Sequence, residues 1–469
     1  MEINAWGQEI TLSNVGDCGL TLRNITLDNT VYPHLPLLVQ LTAMTFMVLL
    51  MVWILTEKKI NLAVATFWIV ILSGLLLIAV KPALSEISWD EESHRANVRL
   101  LALGQGNSLH DMLANLTTWI FAYWPAALGV SIGKALQLSA VGVDMAGCLF
   151  NLVSYAMLAS LAVKCASRYK LTFLTIACLP TNIFMAASYS YDPMLIGTVL
   201  LAMSLWVTEM CSKTAVRPAR LFAMTALLCL GTIVKPAYAP MLFLLMLLPA
   251  ARMGGKKPAM VYRVYVLVLL VLCVGSMLIP GNYDGMANGD YRFEDADAAG
   301  QIAFIKENPW AFVKNMVDYF GNGNWYKLFV APACSFAFAG ESGALCLVLF
   351  AILLLIAPLS HEEEKLDLSH PLTWQKRLFL WVMTYLPLMI LVITQYIVST
   401  KPGADSVAGM QPRYTLPVYI TMALMVMLPK SFRKIPAWLS RTIATCTVLL
   451  MAGVILWMSW SCFVAQTVV

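Results

Sequence analysis

Long apolar runs alternate with short charged connectors almost from end to end of this chain, and that alternation fixes the solvent it folds in. A helix that crosses a bilayer needs about 17–25 mostly apolar residues. The stretches 60–80, 144–163, 193–210, 261–279 and 378–398 each meet that need. With 60% hydrophobic and 12% charged residues, and a mean hydropathy of +0.74, a soluble globule is excluded. The expected class is an all-α polytopic membrane protein. The net charge of +5 sits in short loops on one side, as membrane orientation alone requires, so nucleic acid is not implied. Most of the 11 cysteines fall inside apolar runs without a CxxC pair and read as small core residues.

Residues 1–34 form an acidic tail whose polar and apolar residues alternate as in a short strand pair, and 35–469 form the transmembrane domain. The spans expected are 35–55, 60–80, 144–163, 171–190, 193–210, 221–234, 237–250, 261–279, 341–358, 378–398, 414–429 and 442–462, about twelve crossings. The segment 113–136 is apolar but interrupted by Trp119, Tyr123, Trp124 and Pro125, and is placed at the interface as a helix or shallow hairpin. The basic loops then share one face, the cytoplasmic one. The opposite face carries two long loops, 81–143 and 280–340, with juxtamembrane helices.

Function points to that outer face. Ser88 followed by Glu91 reads as a capping box that starts a helix with Asp90 in its first turn. Asp90 and His94 then share one helical face, and Glu91 and Arg95 form a second pair. Asp90 is the expected base, because Glu91 is already committed to capping and to Arg95. Later segments return to the same face. SYSYDP exposes Tyr191 and Asp192; KPAYAP carries Lys235 and Tyr238; QPRYTLP carries Gln411, Arg413 and Tyr414. Trp325, in GNGNWYK, offers a ring on which a sugar could stack. Each has a plain alternative: a turn aspartate, an interfacial lysine or arginine, a belt tryptophan.

A carboxylate that removes a proton from a hydroxyl, opposite cations that hold a phosphate, fits inverting glycosyl transfer from a lipid-phosphate sugar. The phosphate leaves as an anion stabilised by the cations. Direct displacement would set Asp90 across a gap of about 6.5–9.5 Å from Arg413 and Lys235, by analogy with inverting hydrolases. Asp90, Glu91 and His94 are the expected catalytic residues. Arg95, Tyr191, Asp192, Lys235, Tyr238, Trp325, Gln411, Arg413 and Tyr414 are the expected contacts to the donor's phosphate and sugar. No metal or other cofactor is expected, since Asp90 and Glu91 without another oxygen ligand make a poor cage.

Pro82, Asp90-Glu91, His94 and Gly104, then YWPAALGVSIGKAL (123–136), SYD (190–192), KPAYAP (235–240) and QPRYTLP (411–417), resemble in order the bacterial membrane family DUF2142 over roughly 75–430. That family resembles the GT-C superfamily of polyprenyl-phosphate-sugar-dependent glycosyltransferases. The resemblance implies a GT-C-like fold, a catalytic acid in the first long outer loop followed by juxtamembrane helices, a polyprenyl-phosphate-linked sugar donor, a glycan or lipid-linked acceptor, and a bacterial inner membrane with its active site on the periplasmic side. The leading span and the outer tail depart from the usual GT-C plan. Two other functions use some of the same parts. A flippase of lipid-linked sugars would need the cations but no carboxylate base, and an envelope-assembly scaffold would need neither.

Overall fold

The computed structural model describes residues 61–81, 84, 86–102, 120–276, 289–290, 293, 295–322, 324–359, 374–425 and 437–464, with isolated residues at 42, 45, 48 and 49. The expected strand pair of the tail, the span 35–55, Pro82, Gly104 and the start of the interfacial segment lie outside them. Among the described residues the chain is helical, and its one β-type contact is an isolated bridge between Ser335 and Glu341.

Among the described residues, six helices are long and apolar enough to cross a membrane: Leu62–Val80, Ala140–Cys165, Asp192–Cys211, Lys256–Gly275, Trp374–Val398 and Thr445–Phe463. The helices are α1 (Leu62–Val80), α2 (Glu91–Leu101), α3 (Ile120–Ala135), α4 (Ala140–Cys165), α5 (Lys170–Ala177), α6 (Pro180–Ala186), α7 (Asp192–Cys211) and α8 (Pro218–Val234). They continue with α9 (Lys256–Gly275), α10 (Ala298–Glu307), α11 (Pro309–Gly321), α12 (Gly343–Leu359), α13 (Trp374–Val398), α14 (Tyr419–Met425) and α15 (Ala437–Ser459).

Three expected spans are interrupted, and proline is the reason each time. The segment 171–190 breaks into α5 and α6 at Pro180, which has no N–H to give and holds Leu179 extended. The segment 237–250 is instead a 3-10 helix over Pro236–Leu247, with Pro236 at its start and Pro240 inside. The segment from 414 begins as a 3-10 helix, Pro412–Val418, and becomes α-helical only at Tyr419. Within the described residues none of the three runs as one long α-helix.

Side-chain caps open α1 and α4. Asn61 accepts from the Ala63 amide at 3.0 Å to open α1, and Ser139 accepts from Gly142 at 3.2 Å to open α4. The turn before Ser139 folds α3 back on α4. In that hairpin a Cβ on Gly129 would stand 2.3 Å from the Ala146 carbonyl oxygen. Phe121, Trp124, Leu128 and Ile132 line the opposite, exposed side of α3. Gly129→Ala is expected to part the hairpin and cost about 1–3 kcal/mol, read as a lowered Tm in detergent. Gly133→Ala, whose nearest neighbour would be the Val143 Cα at 3.1 Å, should cost less.

Helix ends gather at two faces of the bundle. At one, α7 is tied to the end of α4 by Thr208 donating to the Cys165 carbonyl at 2.8 Å. There the buried Glu209 joins Arg220 (2.6 Å) and Arg252 (2.7 Å). At the other meet the end of α1, the whole of α2, the starts of α4 and α7, the end of α8 and the start of Pro412–Val418. The loop after α13 closes over this second face, where Gly403 donates to Gln301 of α10 at 2.9 Å and Asn315 of α11 donates to the Ala404 carbonyl at 3.0 Å.

Candidate functional site

Helix α2 carries Glu91, His94, Arg95, Val98 and Leu101 on its buried face. It begins two residues later than the capping-box reading places it. Asp90 is the cap residue, in the left-handed region at φ 56°, and its side chain makes no cap hydrogen bond. The capping box is half made: the Glu91 carboxylate accepts from the Ser88 amide at 3.0 Å. Left-handed backbone is uncommon outside glycine, asparagine and aspartate, and it turns the Asp90 carboxylate away from its own helix.

That carboxylate meets Arg413. Arg413 Nη2 donates to Asp90 Oδ2 at 2.5 Å, and Nη1 donates to Asp192 Oδ2 at 2.9 Å and to the Trp89 carbonyl at 3.2 Å. Gln411 Nε2 lies 3.5 Å from the same Asp90 oxygen. The expected gap of about 6.5–9.5 Å between Asp90 and Arg413 is therefore corrected to a direct ion pair. A fully buried guanidinium needs counter-charges, and α2 and α7 supply one each. Burial by itself would lower the Arg413 pKa; Asp192, then Tyr414, Tyr191 and Asp90 outweigh it and raise it.

The two carboxylates are held differently. The Asp192 side chain is 2% exposed and accepts from Ser190 Oγ at 3.0 Å at the start of α7. The Asp90 side chain is 18% exposed.

His94 stands between Arg413 and two tyrosines. Its Nε2 is 3.4 Å from Arg413 Nη1, its Nδ1 is 2.6 Å from Tyr123 Oη, and its ring meets Tyr191 edge-on at 4.9 Å. Arginine cannot accept a hydrogen bond, so Nε2 presents its lone pair and Nδ1–H donates to Tyr123. Burial, then Asp192, push the Tyr123 hydroxyl pKa up, which keeps the phenol neutral beside the imidazole. Lys235 closes the far side: its ammonium lies 3.2 Å from the Tyr414 ring centroid, and Arg413 faces the same ring at 5.6 Å. With two cations and two carboxylates, the cluster is balanced in charge.

Some expected residues serve elsewhere. Glu91 and Arg95 belong to a neighbouring buried network in which Glu91 takes Lys81 at 2.7 Å and Arg95 at 3.9 Å, and Arg95 takes Asp144 at 3.1 Å. This network fastens α2 to the end of α1 and the start of α4. Arg95 is consumed by these acids. Tyr238 is buried and donates its hydroxyl to the Tyr414 carbonyl at 2.5 Å, bracing one 3-10 segment against the other. Trp325 is half-exposed with its ring edge-on to Tyr326. Lys81→Met is expected to cost about 1–3 kcal/mol in thermal unfolding, because Glu91 keeps Arg95 and the Ser88 and Tyr189 amides.

Sequence reasoning gave no role in the site to Trp89, Tyr123, Lys81 or Asp144. Lys81 ends an apolar helix as Lys235 does, and Asp144 stands one turn into another, so both carried the signal of an ionisable group at the edge of a span. Trp89 acts through its carbonyl, which no side-chain pattern reveals. Among the described residues, no group of three or more His, Cys, Asp and Glu side chains is placed to hold a metal ion.

Fold and site together define a polytopic integral membrane protein whose charged cluster is buried at one end of its helices. More narrowly, residues 120–422 match the family described as "Predicted membrane protein (DUF2142)", and the chain belongs to that family. The matched stretch carries Tyr123, Asp192, Lys235 and Arg413 and begins after α2. Neither a curated protein nor a solved structure matches the chain.

Proposed function

We propose that this protein is a glycosyltransferase that moves a sugar, with inversion, from a polyprenyl-phosphate donor to an envelope glycan or lipid-linked acceptor. The observation that carries the reading is the meeting of Asp90, His94, Asp192, Lys235 and Arg413, from four distant parts of the chain, at one end of an apolar bundle. Buried ionisable groups at such a depth are costly and mark function by default.

In this reading the acceptor hydroxyl gives its proton to the Asp90 carboxylate while its oxygen bonds to the anomeric carbon. The bond from that carbon to the phosphate oxygen breaks, its electron pair stays on the phosphate, and Arg413 and Lys235 stabilise the charge. His94 and Tyr123 hold the wall of the site. The reading takes the fold as GT-C-like with about twelve crossings, the three proline-interrupted segments completing some of them. It places the site on the periplasmic side of a bacterial inner membrane, because the basic loops gather at the other end.

The test is transfer by the purified protein from a polyprenyl-phosphate sugar to envelope glycan, with mass spectrometry of glycans from a deletion strain. A missing sugar in the strain and product in the assay are expected. Unaltered glycans together with no product would overturn the proposal.

A further inference from the structure

Three buried polar atoms on the QPRYTLP segment have no hydrogen-bond partner among the described residues: Gln411 Oε1, Arg413 Nε and Thr415 Oγ1. Orphaned buried polar atoms are rare and ask for an explanation. Arg413 Nε matters most. Nε and Nη2 form one edge of the guanidinium, the pair that grips two oxygens of a phosphate side by side. On that edge Nε is vacant and Nη2 is taken by Asp90. The other terminal nitrogen, Nη1, is occupied by the deeply buried Asp192 and by the Trp89 carbonyl.

The counter-ions are thus unequal. Asp192 is enclosed, bound by Ser190 and set at the start of α7. Asp90 is the more exposed of the two, with a left-handed backbone and no capping duty. Next to the vacant nitrogen, Gln411 turns its amide nitrogen to Asp90, so its Oε1 is an acceptor awaiting a hydroxyl. A donor edge beside an acceptor suits a ligand that has both an anionic phosphate and hydroxyl groups.

We infer that the phosphate of the donor seats on Nε and Nη2 of Arg413 by displacing the Asp90 carboxylate, while Asp192 stays as the permanent counter-ion, so that donor binding itself sets the base free. The inference rests on the proposed transferase reading and adds an order of events to it. A carboxylate in contact with a guanidinium takes a proton poorly, and one released from it takes a proton more readily. Before the donor arrives, Asp90 is therefore held idle. Once the phosphate takes its place, the carboxylate turns to the acceptor hydroxyl.

The experiment measures binding of farnesyl phosphate to the full-length protein in nanodiscs, with farnesol as the phosphate-free control. The proteins compared are wild type, Asp90→Asn, Asp192→Asn and Arg413→Lys. Removing the competing charge should tighten farnesyl phosphate binding to Asp90→Asn by about tenfold. Asp192→Asn, which loosens the anchor, should bind no more tightly than wild type. Arg413→Lys, which keeps the charge and loses the paired edge, should bind about tenfold more weakly. Farnesol should not distinguish the four, and thermal shifts without ligand report which variants are folded. Unchanged or weaker binding by Asp90→Asn, or equal tightening in both aspartate variants, overturns the exchange and leaves the transferase reading standing. Wild type that binds farnesyl phosphate no better than farnesol overturns the phosphate site and the exchange with it.

Discussion

Asp90→Asn is expected to reduce sugar transfer by about 10²–10⁴-fold, the usual contribution of a positioned general base, while the protein keeps its fold and still binds a polyprenyl phosphate. Asparagine is the right replacement for a structural reason. Asp90 sits at φ 56°, which asparagine tolerates and alanine does not favour, so an alanine variant would confound backbone strain with lost chemistry. Asparagine keeps the shape and an oxygen for Arg413 but cannot accept the proton. The check is single-turnover transfer from a saturating donor, with donor affinity measured separately. Turnover within a few-fold of wild type would remove Asp90 from the reaction. Intact movement of lipid-linked sugar across the membrane in the same variant would favour a flippase.

Arg413→Ala is expected to damage both fold and binding. It leaves Asp192, at 2% exposure, and Asp90 facing an emptied site. Stranding a charge from a buried pair costs about 3–5 kcal/mol, which should appear as a large fall in Tm in detergent. Arg413→Met combined with Asp192→Asn should recover much of that loss, because the stranded charge is gone, and should still fail to bind farnesyl phosphate. A double variant as unstable as Arg413→Ala would show that the arginine acts through packing. Wild-type affinity in it would show that the phosphate binds elsewhere.

Much of this site was legible in the sequence because charges are conspicuous against apolar chain. Asp192, Lys235 and Arg413 each stood at the end of a hydrophobic run, Asp90 and His94 in the charged stretch that follows one, and orientation by the basic loops put them on one face. Their distances were not legible. The expected gap between Asp90 and Arg413 came from picturing the site with substrate between them, whereas a buried guanidinium closes on whatever carboxylate can reach it. Arg95 looked like a second phosphate ligand until Asp144, 49 residues away, took it. The same holds for the helices: hydropathy marked the apolar segments, and the prolines at 180, 236, 240, 412 and 417 decided which of them continue as α-helix.

The twelve residues of Pro236–Leu247 are wound more tightly than an α-helix and therefore reach further per residue. At about 2.0 Å of rise each they extend about 24 Å, the length that sixteen α-helical residues would cover. A ruler calibrated on ordinary helices misjudges such a stretch as too short to reach from one headgroup region towards the other. Relaxing it to α-helix would draw its ends together by about 6 Å, and Lys235, fixed to one of those ends, would be the first group to feel the pull.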